Sequence, residues 1–158
     1  MEIRRHSTTL PASGVLRVRG PARLRVVEGR AYALGLELSR GEEIVVRRDR
    51  VIAVLGLEDS VIELVVGYGG NAKLASRGEE VIGEWMRISR ALCSDCARVI
   101  VLGETDSGKS TFATFLLNEA IRQGRRVALL DEDVGQTDIG WPGTVSLAFA
   151  EKPVKWIR

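Results

Sequence analysis

Residues 98–111 read RVIVLGETDSGKST, and the order of residue types here decides how the second half of the chain folds. Arg98 leads into the apolar run Val99–Leu102, which has the length and composition of a strand buried on both faces. Gly103-Glu104-Thr105-Asp106-Ser107-Gly108-Lys109-Ser110 follows as a full GxxxxGK[ST] match. From Gly108 onward the apolar spacing turns helical through Phe112, Phe115, Leu116 and Ala120. Gly124 stands where a glycine that ends a helix belongs. A second apolar run, Val127–Leu130, comes after Arg125 and Arg126. Strand, loop, helix and strand make one βαβ unit, whose two strands are expected to run parallel.

The glycines of such a loop let the backbone curl until its N–H groups point at phosphate oxygens. The helix that follows adds unpaired donors and the positive end of its dipole. Gly103, Thr105, Asp106, Ser107 and Gly108 are therefore read as the cradle, with Lys109 placed to reach the β- and γ-phosphates of a nucleotide. The hydroxyl of Ser110 is placed to ligate the Mg2+ that bridges those phosphates.

A second cluster, Asp131-Glu132-Asp133-Val134-Gly135-Gln136, closes the second strand. Parallel strands of a βαβ unit end on one edge of the sheet, so these carboxylates are expected beside the phosphate loop. Asp131 and Asp133 alternate along the strand direction and share a face, with Glu132 pointing the other way. A carboxylate there serves either to hold Mg2+ or to accept the proton of an attacking hydroxyl.

Working outward, the first half reads as β. Strand-sized segments at Gly14–Arg19, Ala22–Val27, Ala31–Leu38, Ile44–Val46, Val51–Leu57 and Ser60–Val66 are separated by turn residues. Leu16, Val18, Leu24 and Val26 alternate with arginines, as half-buried antiparallel strands require. Tyr68-Gly69-Gly70-Asn71 reads as a turn, and Val81–Leu92 as a helix with Trp85, Ile88 and Leu92 on one face. The pattern shifts between residues 78 and 97. The chain of 158 residues is accordingly expected to be α+β: a small N-terminal β-sandwich or barrel domain over 1–85, then the first part of an α/β P-loop NTPase domain with a parallel sheet over 86–158.

The near-neutral net charge of +2 hides an uneven distribution, because the first fifty residues hold eleven arginines against six acidic residues. These arginines read either as a solvated surface or as a track for an RNA backbone. The two cysteines form a single CSDC, Cys93 to Cys96, and the one histidine, His6, is distant, so no closed zinc site is expected. The N-terminus carries charge with no apolar stretch after it, and no apolar run approaches a membrane span. The expectation is a cytoplasmic protein with no membrane partner.

Taken together, GETDSGKST, LLNEAIRQGRR, DEDVGQ and WPGT resemble in order and spacing the Clp1/Grc3 polynucleotide 5′-hydroxyl kinases, with the archaeal members the nearest in look. The resemblance is specific over residues 98–145 and weaker over the arginine-bearing β region. It implies ATP-dependent phosphoryl transfer to the 5′-hydroxyl of RNA, with DNA as a second acceptor. Lys109, Ser110 and Thr111 match the lysine, serine and threonine of the family's phosphate loop. Asp133 matches its base or metal-organising aspartate, Asp131 a position that supports Mg2+, and Gln136 a glutamine on the γ-phosphate side. Trp141 is read mainly as a packing residue, with base stacking as its other role. The family's kinase domain continues beyond these motifs to lid arginines and a C-terminal domain, so the chain is expected to be a truncated member, its partner a second copy or the missing half. The competing readings are a non-catalytic ATP-binding subunit of an RNA-processing complex and another P-loop ATPase or kinase. The MinD-like ATPases carry an extra lysine early in the loop, where Glu104 and Thr105 stand here.

Overall fold

The structure is a computed structural model of the 158-residue chain and describes residues 3–48, 50–76, 81–93, 98–104, 107–135, 137 and 139–156. The fold is α+β and divides into two compact units, Met1–Glu84 and Trp85–Arg158.

Among the described residues the first unit contains nine strands: β1 (Arg4–Leu10), β2 (Val15–Arg19), β3 (Ala22–Glu28), β4 (Ala31–Ala33), β5 (Leu36–Leu38), β6 (Glu43–Val46), β7 (Val51–Gly56), β8 (Ser60–Val66) and β9 (Asn71–Leu74). They form a four-stranded sheet in the order β1-β8-β3-β6 and a five-stranded sheet in the order β5-β4-β7-β2-β9, with every strand pair antiparallel. Alternate residues are buried along the central strands, so Leu16, Val18, Leu24, Ile44, Val54 and Leu64 form an apolar core. The period-2 pattern thus yields the expected sandwich.

Two strands escape the sequence pattern, and one expected strand is two. β1 carries only one core residue, Leu10, because it is a sheet edge whose polar side chains face water. β9 lies directly after the expected turn and has a mostly exposed side-chain row. The stretch 31–38 is a hairpin folded at Leu34-Gly35, where both residues take positive φ, 54° and 78°. That is the twist a two-residue hairpin needs, and Leu34 accepts it while its side chain is buried.

The second unit is built around α2 (Lys109–Arg122), with β10 (Val127–Asp131) and β11 (Ser146–Ala150); α1 (Ile82–Cys93) runs across the division. α2 ends as expected: Gly124 adopts φ 74°, its N–H reaches the Ile121 carbonyl at 2.8 Å, and the Arg125 N–H reaches that of Ala120 at 3.0 Å. The expected helix faces are shifted. On α1 the fully buried residue is Ser89, bonded through Oγ to the Met86 carbonyl, while Ile88 is exposed. On α2 the buried stripe includes Thr111, Thr114 and Asn118 beside Phe115. Thr114 survives burial because it finds a local partner: its Oγ1 donates to the Ser110 carbonyl at 2.7 Å. Trp85 stands edge-on to Phe112 and Phe115, with ring centroids 5.1 and 5.6 Å apart.

The expected parallel pair of strands is not formed among the described residues. Residues 98–102 carry no ladder, and β10 pairs instead with β11, antiparallel, from Val127 opposite Ala150 to Asp131 opposite Ser146. The run 98–102 has no neighbouring strand to satisfy its backbone and cover its outer side, so Ile100 and Leu102 are 79% and 85% exposed. Val99 and Val101 line a cavity of about 410 Å³ with Val127, Leu129, Leu116 and Leu117, but of the run only Val101 is half-buried; Val99, Ile100 and Leu102 are exposed, as is Leu130. No helix among the described residues is long and apolar enough to cross a membrane.

Candidate nucleotide-binding site

The phosphate loop is described at Gly103, Glu104 and from Ser107 onward; Thr105 and Asp106, both expected in the cradle, lie outside the described residues. Gly103 approaches Ser107 so closely that a Cβ would lie 2.6 Å from its Oγ. Gly108, at the N-cap of α2, adopts φ 91°, which turns the chain into the helix. Among the described residues no side chain caps this end, and the first turn holds no acidic residue. The N–H groups of Lys109, Ser110 and Thr111 thus begin a helix with no intrahelical acceptor, the arrangement that receives an anion.

Lys109 Nζ donates to the Glu104 carbonyl at 2.7 Å, which ties the amine across the mouth of the loop. It forms no ion pair with Asp131 or Asp133. Ser107 is exposed and Ser110 half-buried, whereas Thr111 is 8% exposed and turned into the helix packing.

The two expected carboxylates differ in environment. Asp131 is half-buried and organises its own loop. Its Oδ1 accepts from the Asp133 N–H at 3.1 Å, and its Oδ2 accepts from the Ile139 N–H at 3.0 Å and Thr137 Oγ1 at 2.9 Å. Asp133 is exposed and accepts from the Gly135 N–H at 3.2 Å. Gln136 lies outside the described residues. The stretch Trp141–Thr144 is a turn with Gly143 at φ 81°, closed by the Thr144 N–H on the Trp141 carbonyl at 3.1 Å; the Gly143 N–H ties it back to Val134. Trp141 is 81% exposed, so the packing role expected for it is not what the fold shows; the turn holds the ring in solvent.

The donor set suits Mg2+, which prefers a hydroxyl, one or two carboxylates and substrate phosphates over an all-protein cage. Ser110 supplies the hydroxyl, and Asp133 has an exposed carboxylate. Among the described residues no three His, Cys, Asp or Glu side chains converge, so no all-protein cage competes with that arrangement.

Sequence reasoning passed over Asn118. It is fully buried, and its amide grips the backbone of Val154 twice: Nδ2 donates to the Val154 carbonyl at 2.7 Å, and Oδ1 accepts from the Val154 N–H at 2.8 Å. Its place in the run LLN, on the inner side of a helix, was the available signal. Asn118→Ala leaves both Val154 groups unpaired and is expected to destabilise the second unit by about 1–3 kcal/mol. Chemical denaturation measures that loss, and hydrogen exchange at Val154 localises it.

Of the two cysteines of the CSDC segment, Cys93 is described and Cys96 lies outside the described residues. Cys93 is buried and not in a disulfide. Burial pushes its thiol pKa up, the negative charge of Glu119 adds to this, and Arg125 opposes it. The thiolate is the reactive form, so a raised pKa means less of it at any given pH. Cys93 is therefore expected to alkylate with iodoacetamide more slowly than an unfolded control at pH 8, and to gain rate only as the pH passes above the ordinary thiol range. Mass mapping of the Cys93 peptide checks this; equal rates in both states would contradict it.

Residues 103–158 match the family described as mRNA cleavage and polyadenylation factor CLP1 P-loop. The chain is 56% identical over 54 residues to a polyribonucleotide 5′-hydroxyl-kinase of Methanocaldococcus jannaschii, a match covering 34% of this chain and 15% of that protein. It is 34% identical over 146 residues to a CLP1 homologue of Brugia malayi, covering 84% of this chain and 34% of that protein. A solved structure of a Clp1p–Pcf11p complex shares the fold with a TM-score of 0.67 at 15% identity, over 91% of this chain and 36% of that one. The chain thus spans about a third, or less, of the length of the relatives it matches.

Proposed function

Because residues 103–158 match the CLP1 P-loop family, we propose that this chain supplies the ATP-binding part of a polynucleotide 5′-hydroxyl kinase acting on RNA, with DNA as a second acceptor. The observation that carries the reading is the start of α2. Gly108 in the left-handed region, an uncapped and acid-free first turn, and Lys109 folded over the loop together make a receptor for the phosphates of ATP. The kinase names of the relatives supply the acceptor.

In this reading Lys109 leaves the Glu104 carbonyl for the β- and γ-phosphates when ATP enters, and the first-turn N–H groups hold the phosphate oxygens. Gly103, Ser107, Gly108 and Thr111 shape the cradle through backbone and packing, with Thr105, Asp106 and Gln136 completing it. Ser110 and Asp133 hold Mg2+, which neutralises charge on the transferred group when bound. Asp131, its oxygens engaged by three donors, sets the position of Asp133 and supports the metal from behind. Asp133 then orients the 5′-hydroxyl and takes its proton as the hydroxyl oxygen bonds to the γ-phosphorus, while the bond from that phosphorus to the β–γ bridging oxygen breaks and ADP leaves.

The finer arrangement of the sheet is part of the proposal. Val99–Leu102 has the alternation of a strand lying parallel to β10, and Ile100, Leu102, Leu130, Leu147 and Phe149 present apolar faces that further strands of a P-loop domain would cover. Those exposed faces favour a second reading, an ATP-binding subunit that completes its sheet with another chain before any transfer occurs.

Incubation with γ-labelled ATP and a 5′-hydroxyl oligoribonucleotide tests these readings. Label at the RNA 5′ end supports the kinase. ATP binding without transfer supports the subunit. Transfer to small molecules and never to RNA would overturn the proposal.

A further inference from the structure

Trp141 is used neither by the core nor by the proposed phosphate site. Trp85 stands against Phe112 and Phe115, whereas Trp141 makes no ring contact among the described residues and is 81% exposed. Its backbone is nonetheless held on both sides. Trp141-Pro142-Gly143-Thr144 is a type II turn: Pro142 stands second, Gly143 stands third at φ 81°, and the Thr144 N–H closes it on the Trp141 carbonyl at 3.1 Å. Thr144 Oγ1 donates to the same carbonyl at 2.7 Å and meets Ser146 Oγ at 3.0 Å. Before the turn, Gly140 takes φ 94°, and a Cβ there would collide with Ser146 Oγ.

The turn is also tied to the acidic loop. Asp131 stands opposite Ser146 in the β10–β11 ladder, so residues 132–145 form one loop between them. Across that loop the Gly143 N–H donates to the Val134 carbonyl at 3.1 Å. Three backbone steps and one hydrogen bond therefore separate Asp133 from Trp141, about 18 Å between Cα atoms at full stretch. A carboxylate, one nucleotide and an indole in a row fill such a span.

Charge decides which part of a nucleotide lies against the ring. From Val127 to Glu151 the sequence holds no Lys or Arg, while Asp131, Glu132, Asp133 and Asp138 all fall within it. This loop offers a phosphate backbone no ion pair, and its carboxylates repel one. A nucleobase is neutral and presents a π face on which an indole stacks.

We propose that Trp141 stacks on the 5′-terminal base of the acceptor strand and so brings its 5′-hydroxyl to Asp133. The inference rests on the reading of Asp133 as the group that orients this hydroxyl. Stacking tolerates any base, so the ring recognises an end of a strand rather than a sequence. Trp141 grips the acceptor and takes no part in the chemical step.

The test is a cycle of binding measurements on the whole chain, saturated with Mg2+ and a non-hydrolysable ATP analogue. Fluorescence anisotropy follows a 3′-labelled, 5′-hydroxyl hexaadenylate, the same strand abasic at its first position, and the same strand abasic at its fourth. Trp141→Ala is expected to weaken binding of the intact strand about fivefold to a hundredfold. The parent is expected to lose the same factor when the first base is removed, and the variant to lose nothing more. Removal of the fourth base is expected to affect both proteins alike. Trp141→Phe keeps a smaller ring and is expected to recover part of the affinity. Because the ring is exposed, both variants are expected to unfold at the temperature of the parent.

Equal losses in parent and Trp141→Ala on removal of the first base would overturn the proposal, as would no measurable binding of the intact strand by the parent. So would an equal fall in ATP affinity, which would put the adenine of ATP on the ring. A lowered unfolding temperature with RNA binding unchanged would make Trp141 a packing residue and overturn it too. Transfer from labelled ATP is followed separately. No transfer with the cycle intact counts against the kinase reading alone, and transfer with no coupling in the cycle counts against the stacking alone.

Discussion

On the proposed kinase reading, Lys109→Ala is expected to weaken ATP binding about tenfold to a hundredfold and to lower phosphoryl transfer by a further factor of about 10²–10³. The first figure follows from the hydrogen bonds of a charged donor to phosphate, about 1.5–3 kcal/mol, at about 1.4 kcal/mol per tenfold. The second follows from removing a positive group where charge develops during transfer. In the structure the amine rests on the Glu104 carbonyl at 2.7 Å, a neutral acceptor that phosphate oxygens readily replace. Isothermal titration with ATP reads the binding loss, and single-turnover transfer reads the rest. If the lysine served only to tie the loop, the variant would lose thermal stability while binding ATP as well as the parent. Lys109→Arg keeps the charge but changes its shape and reach, and is expected to recover part of the binding and little of the transfer.

The phosphate loop was legible because its chemistry is local. Gly103, Gly108, Lys109 and Ser110 fall within eight residues, and the turn into α2 is made by Gly108 itself at φ 91°, so their spacing carries the local geometry. The sandwich was legible for a related reason, since burial on one face of a strand writes a period of two into the sequence. What escaped depends on partners distant in the chain. β1 and β9 are held by pairing with β8 and β2, and their own polar rows carry little pattern. Asn118 is held by Val154, 36 residues away, a partner that no local pattern announces.

The run Val99–Leu102 shows the converse limit. Its composition states what surroundings a strand there requires, and the described residues do not provide them. Alternation sets Asp131 and Asp133 apart from Glu132, but spacing alone gives no difference between the two. Their surroundings differ in the fold: Asp131 is half-buried and accepts from the Asp133 and Ile139 N–H groups and from Thr137 Oγ1, whereas Asp133 is exposed.

The core of the first unit carries the second large effect. Leu64 lies on β8, the strand paired on one side with β1 and on the other with β3, and it is fully buried. It stands opposite Leu24 in the register, and on the same face of β8 Ile62 and Val66 are also buried. A central strand has little freedom to move inward, because its backbone is held by ladders on both edges. Leu64→Ala therefore leaves a void that collapses poorly, and the expected loss is about 2–5 kcal/mol, toward the upper part of that range. Against a typical total of about 5–15 kcal/mol, this removes a large fraction of the stability of the unit. Urea denaturation followed by far-ultraviolet circular dichroism reads it as a lowered midpoint at unchanged slope. The matching change on the exposed row of the same sheet, Val45→Ala, removes a side chain that is 54% exposed and is expected to cost less than about 0.5 kcal/mol. A similar loss in both variants would mean that the two faces of the sheet are not distinguished by burial, and the sandwich assignment would fall with that result.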